Sequence, residues 1–187
     1  MKRNKFLAVI TTIAAAPFVG FSQLAKNISD RAKGFRIPAG EGRYHGHLQL
    51  KGVNANIQDV KISGKDTEGG LAIFEQTSLS QGRGTPLHYH VGQDEVFYVI
   101  DGSYRFKVGD EEFDLNTGDS IFLPRQVPHA WTQRSAKGKM LVTVQPAGKL
   151  EDFFVIMAGL DHEPTPAEMK GIFDKCEMVV VGPPLKL

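Results

Sequence analysis

A chain of 187 residues, 41% apolar and 23% charged, has the composition of one globular domain long enough to bury a core, neither disordered nor membrane-embedded. Its formal net charge is +1, and no basic run follows the first five residues, which argues against a nucleic-acid partner. The single cysteine, Cys176, cannot close an intramolecular disulfide, so core packing must hold the fold unaided.

The basic MKRNK followed by the mostly apolar stretch 6–21 reads as a secretory signal over residues 1–22, with the small Gly20 and Ser22 placed for cleavage before Gln23. The apolar stretch is short for a membrane span, which takes about 20 residues. An uncleaved anchor and an amphipathic first helix are the alternatives. Cleavage removes Lys2, Arg3 and Lys5 and no acid, which takes 22 basic side chains to 19 against 21 acidic ones, a net charge of -2. The expectation is an exported protein of the bacterial periplasm or extracellular space, with no membrane association once the signal is cleaved.

Residues 23–34 are polar and read as a linker, leaving a single domain over 35–187 with a β-barrel core at about 71–146. Between 35 and 64 short apolar stretches broken by Pro38, Gly40, Gly42, Gly46 and Gly52 predict edge strands and loops. A pair of histidines at strand spacing, His45 and His47, lies here with no carboxylate or third histidine close behind, and is expected to be exposed or hydrogen-bonded. Strands are then predicted at 71–78, 86–90, 95–100, 103–108, 112–115, 120–123, 129–133 and 140–145, separated by turns such as Asp101-Gly102, Gly109-Asp110 and Thr117-Gly118-Asp119. Many short strands at such spacing predict an all-β fold, and a jelly-roll barrel suits a chain that must surround an interior site. Past Pro146, Leu150, Phe153, Phe154, Met157 and Leu160 recur at helical spacing, and Pro166 opens a second helical stretch. This C-terminal helical extension, 149–176, is expected to pack outside the barrel, and 178–181 can add a last strand.

The chemistry concentrates in GRGTPLHYHVGQDEVFYVIDG, residues 82–102. His88 and His90 are two apart on a strand and so share a face, and Glu95 follows a short connection that a returning strand would fold back as a hairpin. His129, after a turn stiffened by Pro124 and Pro128, supplies a fourth ligand. Three imidazoles and a carboxylate suit one divalent transition metal, Fe, Mn, Ni, Cu or Zn, and leave coordination positions open on an octahedral ion. A closed structural zinc site would favour cysteine ligands, and none is at hand. Strand parity puts Phe97 and Val99 on the face of Glu95, and Trp131 and Gln133 on that of His129, as candidate substrate-pocket walls. Either Arg105 and Lys107 or the alternating Tyr104, Phe106 and Val108 face the interior, and the pattern alone does not decide which.

These residues resemble the cupin superfamily. The first cupin motif is matched by Gly82, His88, His90, Glu95 and Gly102 in spacing, and the second by Gly118, Pro124 and His129, with Gln126 where a glycine is usual and Gln133 where an asparagine is usual. KDTEGGLAIFEQ, PAGKLEDFF and VVVGPPL are similar to single-domain cupins described as quercetin 2,3-dioxygenase-like, a resemblance covering most of 35–185. It implies a metal-dependent dioxygenase acting on a small hydroxylated aromatic or enolisable, flavonol-like compound, with Glu95 as both metal ligand and acceptor of a substrate proton. The alternative is a carbohydrate or small-molecule binding cupin, an isomerase or non-catalytic, in which case basic groups should line the interior. A homodimer is the expected assembly.

Overall fold

The computed structural model describes residues 34–52 and 54–187. The leader expected at 1–22, and nearly all of the 23–34 linker, lie outside the described residues. Residues 37–187 form one compact unit, built from eleven strands and two helices.

The strands are β1 (Leu48–Gln49), β2 (Ile57–Ile62), β3 (Ala72–Ser78), β4 (Pro86–His90), β5 (Asp94–Asp101), β6 (Ser103–Val108), β7 (Glu111–Asn116), β8 (Ser120–Leu123), β9 (His129–Gln133), β10 (Gly138–Gln145) and β11 (Met178–Pro184). They make two antiparallel sheets: β1-β2-β3-β10-β5-β8, and β11-β4-β9-β6-β7. Most turns between them carry glycine or aspartate, and the turn from β8 to β9 is the proline-flanked 124–128. Strict alternation of buried and half-buried residues along β3 and β4 points one row of side chains inward. Val60, Phe74, Val99, Tyr104, Phe106, Leu123, Met140 and Val144 fill the space between the sheets and leave almost no surface exposed. The expected jelly-roll is present, and its pairing explains one requirement for glycine: a Cβ on Gly84 would stand 1.6 Å from the Trp131 carbonyl oxygen, so only a bare backbone can bridge to Thr132 there.

Helices α1 (Leu150–Gly159) and α2 (Pro166–Lys175) follow the barrel. Thr165 caps α2 reciprocally with Glu168, and Pro166 occupies its first turn, a combination worth about 1 kcal/mol. The helices lie against the barrel, and their apolar face reaches further in than outside packing requires: Phe154 meets Phe74 edge-on at 5.0 Å, and Phe153 meets Phe173 at 4.8 Å. The final strand, β11, pairs with β4, placing Val180 opposite His88 and covering what would otherwise be an open edge beside the histidines.

Candidate metal centre

His88 and His90 point inward from β4, and His129 enters at the start of β9 directly opposite His88 in register. Glu95 comes from the other sheet. The hairpin expected to carry His88, His90 and Glu95 together does not form: β4 is paired to β11 and β9, β5 to β10 and β8, and residues 91–93 cross between the sheets. A three-residue connection suits either arrangement, and pairing is decided by strands distant in sequence. The crossing sets the carboxylate against the imidazoles across the interior.

Each imidazole is oriented by its other nitrogen. His88 Nδ1 donates to the Pro86 carbonyl at 2.8 Å, His129 Nδ1 to the Val127 carbonyl at 3.0 Å, and His90 Nδ1 to Gln93 Oε1 at 2.9 Å. A carbonyl oxygen can only accept, so the proton sits on Nδ1 and the Nε2 lone pair is left for the interior. One ligand atom from each of the three buried histidines lies within 4.8 Å of the others. His129 Nε2 is buried with no hydrogen-bond partner, and Glu95 Oε2 stands 3.4 Å from it and 3.6 Å from His90 Nε2. Convergent neutral lone pairs, an orphaned ring nitrogen and a buried carboxylate fit a divalent transition metal and fit little else, because burying such acceptors without a cation or donor is unfavourable.

The electrostatics agree. Burial holds the His88 imidazole down to about 3, and its neighbours His129 and His90 add to the effect, so it is neutral and ligand-ready at neutral pH. Burial pushes the Glu95 carboxyl up, but the imidazoles, His90 foremost, outweigh it and bring the group to about 2, keeping it ionised.

Two supporting residues escaped sequence reasoning. Gln93 accepts from His90 Nδ1 and so fixes the tautomer of His90. Gly148, at φ 50, lies so close to Gln93 that a Cβ would stand 1.2 Å from its Nε2. Gln93 was legible only as a polar residue inside the motif, and Gly148 carried no signal because the contact joins residues more than fifty apart. Gln126 adopts φ 63, which explains why a glycine is usual at that place; its amide N–H donates to the His90 carbonyl at 2.8 Å, tying this turn to the site.

A cavity of about 50 Å³ adjoins the centre, with His88, His90 and Glu95 in its wall. Of the four predicted wall residues, Phe97 and Trp131 line it. Val99 and Gln133 do not: Val99 is packed in the core, and Gln133 is pinned as structure, accepting from Ser80 N at 2.9 Å and donating to the Ser135 carbonyl at 2.8 Å. Phe153, Phe154, Met157 and Phe173 close the cavity from α1 and α2, so the helical face read as outer packing is also a wall of the site. Tyr104 and Phe106 face inward, while Arg105 lies on the opposite face, its Nε 2.9 Å from Asp114. His45 and His47 are far less buried than the motif pair and bond to separate acids, Glu151 at 3.2 Å and Asp59 at 2.6 Å.

Comparison with known proteins agrees with this geometry. Residues 76–145 match the model of the cupin domain. Quercetin 2,3-dioxygenase of Bacillus subtilis is 28% identical over 135 residues, 71% of this chain and 37% of that protein. An uncharacterized protein of Methanocaldococcus jannaschii is 33% identical over 48 residues, 26% of this chain and 38% of its own. The chain thus spans well under half the length of these two relatives. An RmlC-like cupin from Shewanella frigidimarina superposes with a TM-score of 0.50 at 20% identity, covering 65% of this chain and 96% of that one, a likeness of fold. Residues 76–145 thus form a cupin domain.

Proposed function

We propose that the protein is a metal-dependent dioxygenase acting on a small hydroxylated aromatic or enolisable compound. The observation that carries this reading is the convergence of three buried imidazoles, with the Glu95 carboxylate 3.4 and 3.6 Å from two of them, beside a cavity whose remaining walls are mostly aromatic and aliphatic. His88, His90, Glu95 and His129 would hold the ion. A divalent ion held there would acidify a coordinated hydroxyl. Glu95, kept ionised by the imidazoles beside it, would accept the proton of such a hydroxyl. Phe97 and Trp131 supply a flat apolar wall that orients a ring and keeps bulk water from the reacting carbon. The likeness to a quercetin 2,3-dioxygenase supports the reaction class. The inward placement of Tyr104 and Phe106, with Arg105 turned outward, favours this over a sugar or acid isomerase, whose substrate would call for basic groups inside.

Oxygen uptake with a panel of flavonols and dihydroxy-aromatics, after loading with iron, manganese, nickel or copper in turn, tests the reading. Turnover with at least one pair that disappears in Glu95→Ala supports it; no uptake with any pair overturns it.

Two further properties complete the proposal. The basic-then-apolar N-terminal order supports export to the periplasm or beyond. The outer face of β5 and β8, where Val96, Tyr98, Ile100 and Phe122 are 39–55% exposed on adjoining strands, supports a homodimer. Elution mass at two concentrations should give a dimer that Phe122→Asp converts to monomer; a monomeric wild type at both contradicts it.

A further inference from the structure

The cavity has a second end. Its wall opposite the metal centre carries polar side chains, Asn54, Gln58, Gln76 and Thr85. Gln58 Nε2 donates to Gln76 Oε1 at 2.7 Å, Gln76 Nε2 donates to Ser78 Oγ at 2.8 Å, and Tyr104 donates to the same Oγ at 2.8 Å. Both polar atoms of the Gln76 amide are thereby used. Asn54 Oδ1 accepts from Asn56 N, and Thr85 Oγ1 accepts from Trp131 N. Gln58 is only 2% exposed, and its Oε1 is buried with no hydrogen-bond partner. Among the described residues it is the one such atom on a cavity-lining side chain. A buried amide whose orientation is held by a hydrogen-bond chain, and whose carbonyl is left bare, has the form of a recognition group for a donor.

Strand register sets the distance. Gln58 is opposite Gln76, Gln76 opposite Met140, and Met140 opposite Val99. Val99 lies four residues beyond Glu95 on β5, roughly 13 Å along the strand at about 3.3 Å per residue, and Gln58 stands three strands to the side, roughly 14 Å at about 4.8 Å per strand. With side chains reaching inward from both ends, the gap is on the order of 10 Å. The cavity volume of about 50 Å³ over such a length makes it narrow.

We propose that the Gln58 carbonyl is a second recognition point, and that the substrate is slim and elongated, with a metal-binding group at one end and a hydrogen-bond donor at the other. A single ring with a short hydroxylated tail meets this description with the least displacement of the α1 and α2 side chains in the wall; a broad fused-ring flavonol requires more. The inference rests on the reading of the histidine end as a metal centre and specifies what that centre takes.

The test uses the full chain loaded with zinc, a redox-silent ion, and titration calorimetry with 4-propylcatechol, 4-(3-hydroxypropyl)catechol and the methyl ether of the latter. Quenching of Trp131, the chain's single tryptophan and a cavity residue, reports that each probe occupies the cavity. The hydroxyl probe should bind about tenfold tighter than the other two, the usual worth of pairing one buried acceptor. Gln58→Met should erase that preference while keeping the propyl affinity. Equal affinity for all three probes, no binding by any, or a preference that survives in Gln58→Met overturns the proposal. The comparison of hydroxyl with methyl ether needs no variant, so it decides even if Gln58→Met fails to fold. A protein that takes up no zinc overturns the metal centre and this proposal together. Failure of oxygen uptake with a preserved hydroxyl preference overturns the dioxygenase reading alone.

Discussion

Two histidine pairs in this chain share the same spacing and meet different fates. His45 and His47 sit in a loop before the first strands, His45 at φ 66, and each bonds to a different carboxylate. His88 and His90 sit on a strand, buried, with each Nδ1 committed to an acceptor and each Nε2 left facing a common point. Spacing alone does not make a site. What separates the pairs is a pleated strand that points both rings the same way, burial of both rings, and acceptors behind them that choose the tautomer.

That contrast can be broken at several strengths. Replacing His129 by alanine removes a ligand from a centre with four at most, and metal affinity measured by calorimetry should fall at least about 100-fold. The double substitution of His45 and His47 by alanine should leave affinity within about twofold; an equal loss in both proteins would erase the distinction. Gln93→Leu, which removes the acceptor behind His90, should weaken metal binding by roughly 10- to 100-fold while the fold, followed by circular dichroism, persists. Gly148→Ala should act in the same direction, since its Cβ must displace Gln93.

The metal-free protein should also respond to acid. His88 is held at about 3, whereas in the unfolded chain it titrates near its ordinary 6.5. Between those values the unfolded chain binds a proton that the folded one refuses, so stability is intact above pH 6.5 and is lost as the pH falls toward 3. From pH 6.5 to 5 this amounts to about 2 kcal/mol, read as a lower denaturant midpoint, and His88→Phe should flatten the slope. The smallest effect is at Gln126: replacement by glycine relieves about 1 kcal/mol of left-handed strain and forfeits the side-chain bond to the Val91 carbonyl at 3.2 Å. The net change should be a few tenths of a kcal/mol, on the stabilising side.

Most of the barrel was legible because its turns are written in glycine and aspartate. The predicted strands at 103–108, 120–123 and 129–133 coincide with β6, β8 and β9, and β10 starts only two residues earlier than placed. The metal-ligand candidates were legible for the same reason: strand parity fixes which way a side chain points. Parity says nothing about which strands pair, so the crossing between β4 and β5 was read as a hairpin. Nor does it give depth. Val99 and Gln133 share a face with Glu95 and His129, yet Val99 is packed in the core and Gln133 is held by hydrogen bonds to Ser80 and Ser135. The periodicity of α1 identified its apolar face and left open how far Phe153 and Phe154 would reach. Gln58 and Gly148 act through contacts with residues far along the chain, and no local pattern marks them.

The chemistry of this site depends on the metal. Elemental analysis of the purified wild type beside the His88→Ala/His90→Ala double variant, each after dialysis against iron, manganese, nickel, copper and zinc in turn, tests it most directly. The centre described above predicts about one tightly held transition-metal ion per chain in the wild type and a small fraction of that in the double variant. Equal metal in both proteins, or none in the wild type under every condition, would contradict it.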